Sequence, residues 1–61
     1  MKSRILIVED NLLIGREVEA DLEMEHEILA ICPSGEEALT FVRQTVPDLI
    51  IMDIKLAGKL D

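Results

Sequence analysis

Three carboxylates stand at positions where they could act together. Glu9 and Asp10 follow the apolar run Arg4-Ile-Leu-Ile-Val8, and Asp53 follows Leu49-Ile-Ile-Met52. Each group sits at or near the end of a short branched run that would be buried as a strand. Carboxylates brought to one place repel one another. A hard divalent cation removes that cost, and Mg²⁺ suits such a site because it takes one or two carboxylates and keeps several waters. The plainer reading is that these acids are solvated strand-end residues. Asp10 taken alone is expected to cap a helix. For Asp53 the spacing alone leaves both readings open, whereas the three acids together point to a site.

The elements that must position them follow from patterning. Arg4 to Val8 reads as a strand buried on both faces. Asp10 or Asn11 can cap a following helix, in which Ile14, Val18 and Leu22 recur at i, i+4 and i+8. Arg16, Glu17, Glu19, Glu23 and Glu25 form its polar face, and it should run to about Met24. Gly15 weakens it by roughly 1 kcal/mol relative to Ala. Glu27 to Cys32 is a second strand, stopped by Pro33-Ser34-Gly35. Ser34 and Glu37 have capping-box spacing, so a second helix starts there, with Ala38, Leu39, Phe41 and Val42 as its stripe. Pro47 lies beyond it, Asp48 to Ile54 forms strand three, and Gly58 lies in the next loop. The order β-α-β-α-β predicts an α/β fold, a parallel sheet with right-handed crossovers. Neighbouring strands one and three would bring Glu9, Asp10 and Asp53 to one edge, where open α/β sheets bind ligands.

Composition narrows the function. The 61 residues suffice for one small domain, with 13 acids against six Lys plus Arg and a formal net charge of −7. That excess argues against a nucleic-acid surface in this segment. No signal peptide is visible, and no run approaches the ~20 apolar residues of a membrane span. The single cysteine excludes an intramolecular disulfide and fits a cytoplasmic location. Cys32 reads as a packing residue, His26 as a loop residue, and Met24 and Met52 as core filler.

"RILIVEDN", "SGEEAL" and "PDLIIMDIKL" together resemble the first half of a receiver domain of two-component response regulators. The resemblance covers residues 1–61, in order and at the family's spacing. It implies the flavodoxin-like doubly wound parallel sheet, of which β1-α1-β2-α2-β3 would be present in strand order 2-1-3. It implies that Asp53 is the phosphoacceptor, taking a phosphoryl group from a sensor histidine kinase or phosphotransfer protein. It implies Mg²⁺ as cofactor, held by Asp10 directly, by Glu9 through water, by Asp53, and by the backbone carbonyl of Lys55. Ala57 stands where the family often has Pro.

The family's domain is about twice this length, in keeping with ordinary domain size. Its hydroxyl residue ending strand four and its lysine ending strand five have no counterpart here. The chain is therefore expected to be the N-terminal half of a longer receiver, not switch-competent alone. Within strand three, Leu49-Ile-Ile-Met52 has no charge, proline or alternation to protect an edge, so it should pair with a missing C-terminal half, a second copy or another chain. Two other functions compete with a non-enzymatic phosphoacceptor. One is a phosphorylation-independent interaction or dimerisation module. The other is a phosphatase of the haloacid dehalogenase type, which needs an Asp where Lys55 stands.

Overall fold

The computed structural model describes residues 2–52. The elements are β1 (Arg4–Val8), α1 (Leu12–Leu22), β2 (Glu27–Cys32), α2 (Gly35–Gln44) and β3 (Leu49–Met52). The three strands form one parallel sheet in the order β2-β1-β3. The expected architecture is thus present. The predicted last part of strand three, Asp53 and Ile54, and the loop at Gly58 lie outside the described residues.

β1 is the middle strand, and its apolar run is uninterrupted because both faces are covered. Ile5, Leu6, Ile7 and Val8 are each 1% exposed or less. Side chains alternate between faces along a strand. Leu6 and Val8 pack with Cys32 and Ala38, against which Ala30, Phe41 and Val42 also pack, so these positions face α2. The opposite face lies under α1. The β1–β2 register shifts between Ile5 and Leu6, and Leu29 is passed over.

Both helices begin at a side-chain cap. Ser34 Oγ accepts from the Glu37 amide at 3.2 Å, as the capping-box spacing predicts. The reciprocal bond from the Glu37 side chain is not made. Glu36 and Glu37 in the first turn and Arg43 in the last complement the helix dipole. At the opposite end of the sheet, the Arg4 amide donates to Asp48 Oδ2 at 2.8 Å. The Asp48 amide donates back to the Arg4 carbonyl at 2.8 Å. This exchange sets where β3 starts beside β1.

Four readings need correction. α1 stops at Leu22 instead of Met24, because the Glu25 and His26 amides both turn back to the Leu22 carbonyl. Met24 then falls in the turn and is 85% exposed, so it is not core filler. Met52 is not core filler either: it lies on an outer strand of the described sheet and is exposed. Leu39 also projects away from the core, since Ala38, Phe41 and Val42 occupy the contact with the sheet.

Candidate functional site

The site starts at the C-terminal end of β1. The Glu9 amide donates to the Cys32 carbonyl at 2.8 Å, which carries the β1–β2 ladder one residue past Val8. By strand alternation Glu9 falls on the α1 face, beneath the start of that helix. It is the buried charged residue of the described core, at 2% exposure. Its Oε2 accepts from the Asn11 amide at 2.9 Å. Its Oε1 is buried and has no hydrogen-bond partner among the described residues. A buried carboxylate oxygen without a partner is costly, so such an atom marks a place where a cation or water belongs.

Asp10 is exposed, and it is not the helix cap. Asn11 is: its Oδ1 accepts from the Leu13 and Ile14 amides at 3.0 and 3.3 Å. That corrects the expectation for Asp10 taken alone. The cap needs one side-chain acceptor in extended backbone just before the first helical residue, and Asn11 meets both conditions. Asp10 is among the residues, Glu9 to Ile14, that line an open depression of about 550 Å³.

The two remaining predicted members of the site, Asp53 and Lys55, lie outside the described residues. What is described is the strand that precedes them in the chain. β1 and β3 are parallel neighbours, and Val8 is paired with Met52. The residue following Val8 is Glu9, and the residue following Met52 is Asp53. Among the described residues no cluster of three or more metal-ligating side chains forms.

The donor set fits a hard divalent cation. Glu9 and Asp10 are adjacent carboxylates at one strand end, one with an oxygen unpartnered among the described residues and the other free of the cap.

Sequence reasoning missed Gly15. It reads there as a helix weakness, yet it is the buried residue of α1. A Cβ at this position would lie 2.8 Å from Ile31 Cγ2 and 3.7 Å from Glu9 Cβ. The glycine lets α1 approach β2 and the site closely. The only signal available was its presence in an otherwise helix-forming segment. The readings of Cys32 and His26 hold. Cys32 packs in the core at the end of β2, and burial together with the nearby Glu37 carboxylate pushes its thiol pKa up. His26 lies in the α1–β2 turn.

The model of the response regulator receiver domain matches residues 5–61. Among curated proteins, the chain is 39% identical over 57 residues to a protein-glutamate methylesterase/protein-glutamine glutaminase of Trichodesmium erythraeum. That match covers 90% of this chain and 16% of the relative. It is 38% identical over 60 residues to the probable transcriptional regulator ycf27 of Guillardia theta, covering 98% of this chain and 23% of the relative. It is 36% identical over 58 residues to the DNA-binding response regulator MtrA of Mycobacterium leprae, covering 95% of this chain and 26% of the relative. The chain thus spans about a quarter or less of these relatives' length. No solved structure gives a significant match. With its parallel sheet in the order 2-1-3 and a family match reaching almost from end to end, the chain belongs to the receiver domains of response regulators.

Proposed function

We propose that this receiver accepts a phosphoryl group on Asp53 from a phosphohistidine of a sensor kinase or phosphotransfer protein. An Asp53 carboxylate oxygen forms the new O–P bond. The P–N bond of the donor breaks, and its electron pair goes to the imidazole nitrogen. Glu9, Asp10, Asp53 and the backbone carbonyl of Lys55 are the groups that would hold Mg²⁺. When bound, Mg²⁺ neutralises charge on the transferring phosphoryl group. Asp53 needs that neutralisation to act as a nucleophile toward an anionic centre. Glu9 is positioned by its backbone bond to Cys32, while Asp10 is left open to solvent and ligand. The domain acts as acceptor in a relay and is not an enzyme in its own right.

The observation that carries this reading is the parallel pairing of Val8 with Met52, with an acid next in the chain on each strand. Glu9 Oε1, unpartnered among the described residues, supports the metal. The test is labelling of full-length protein by acetyl phosphate or a kinase in Mg²⁺. Wild type should label and Asp53→Asn should not. Equal labelling of the two would exclude Asp53 as acceptor. The haloacid dehalogenase reading lacks its second Asp, since Lys55 stands there.

One observation favours a second reading, a phosphorylation-independent interaction or dimerisation module. Leu39, Ile50 and Met52 are exposed along a groove between α2 and β3. Self-association through this face would appear as a concentration-dependent mass in sedimentation, abolished by Ile50→Lys. Normal partner binding without any Mg²⁺ binding would favour this reading over phosphoacceptance.

A further inference from the structure

We infer that Gly15 is a positioning residue for Glu9, acting through the first turn of α1. The inference deepens the proposed metal site and rests on that reading for its functional consequence, though its structural core stands apart.

The connection is a short chain of contacts. Ile31 of β2 sits over Gly15, so close that a Cβ there would meet its Cγ2 at 2.8 Å. The Gly15 amide donates to the Asn11 carbonyl at 2.9 Å. The Asn11 amide donates to Glu9 Oε2 at 2.9 Å. One contact therefore sets the height of the helix above the sheet, and two hydrogen bonds transmit that height to the carboxylate. Ile31 cannot easily give way. Its Cγ2 is bonded directly to a β-branched Cβ with a stiff χ1, and its backbone is paired with Ile7 in the β1–β2 ladder. A methyl at position 15 must instead lift the first turn, and the Asn11 amide moves with it. Glu9 itself stays in place at the backbone, because its amide is held separately by Cys32. The expected result is a carboxylate that has lost its orienting donor while the sheet is unchanged.

The test compares wild type, Gly15→Ala, Ile31→Ala and the double variant as full-length chains. Amide hydrogen exchange is read by NMR at Asn11 and at Leu6 and Ile7. In Gly15→Ala, exchange at Asn11 should quicken by about tenfold or more, with Leu6 and Ile7 unchanged. Ile31→Ala removes the obstructing Cγ2, so the double variant should recover wild-type protection at Asn11. A merely structural glycine would give equal loosening of Asn11 and β1, and that result overturns the inference. So does unchanged exchange at Asn11 in Gly15→Ala, or failure of Ile31→Ala to restore it. If Gly15→Ala does not fold, the double variant decides alone: folded with Asn11 protected supports the inference, folded with Asn11 unprotected overturns it. A Mg²⁺ titration runs in parallel, with affinity in Gly15→Ala expected to fall several-fold. If Asp10→Asn binds Mg²⁺ as wild type does, the metal reading fails, while the exchange data still decide the role of Gly15.

Discussion

The Asn11 amide donates to Glu9 Oε2 at 2.9 Å, and the same residue's Oδ1 caps α1 through the Leu13 and Ile14 amides. One asparagine thus joins a buried carboxylate to the start of a helix. The arrangement separates the roles of two adjacent acids. Glu9 is held and buried, and Asp10 is left uncommitted at the surface.

That separation can be tested by stability. Asn11→Ala should cost about 1 kcal/mol through the lost cap. Asp10→Ala should stay within about 0.5 kcal/mol, as for surface residues without a structural partner. Urea denaturation of both variants measures the difference. Equal losses would return the cap to Asp10.

Removing the charge of Glu9 should have opposite effects on folding and on binding. Its Oε1 is buried without a partner among the described residues. Without metal, Glu9→Gln should stabilise the fold by roughly 1 kcal/mol, since a buried carboxylate with one oxygen unpartnered among the described residues is replaced by a neutral amide of similar shape. Mg²⁺ affinity should fall in the same variant. Thermal melts with and without Mg²⁺ should therefore change order: the variant melts higher without metal and gains less from it.

The core and the outer face of α2 should respond differently to the same truncation. Leu6 is 0% exposed, so Leu6→Ala should cost roughly 2–5 kcal/mol. Leu39 is 61% exposed, and Leu39→Ala should cost no more than about 0.5 kcal/mol. Denaturation midpoints of the two variants check this. A large loss at Leu39 would mean that it is covered in the folded protein.

Cys32 carries a pH dependence of definite sign. Burial first, and then the Glu37 carboxylate, hold its thiol above the usual range. The folded state therefore favours the neutral thiol. This contribution is fully present below the unfolded cysteine pKa of about 8.5. It is lost as pH rises from there through the folded value. Alkylation by iodoacetamide at pH 8 should be slow in the folded protein and fast in urea, and Glu37→Gln should speed the folded reaction modestly. Rapid alkylation of the native protein would show an accessible thiolate.

Much of this molecule was legible along the chain because its signals are local. A continuous branched run such as Ile5 to Val8 specifies a strand covered on both faces. Ser34 before Glu37 marks a helix start, and β-α-β-α-β alternation with short links leaves few topologies besides a parallel sheet. The acids Glu9 and Asp10 were visible as candidates because they interrupt that apolar pattern at its end. Tertiary structure decided what depends on residues far apart in sequence. It buried Glu9 under α1 and freed Asp10 by giving the cap to Asn11. It turned Met24, Leu39 and Met52 outward, although their types and positions read as core. It also made Gly15 a close contact of Ile31, sixteen positions away in the sequence. Local pattern dictates which elements form, but the distance between elements is set by the side chains that meet across them.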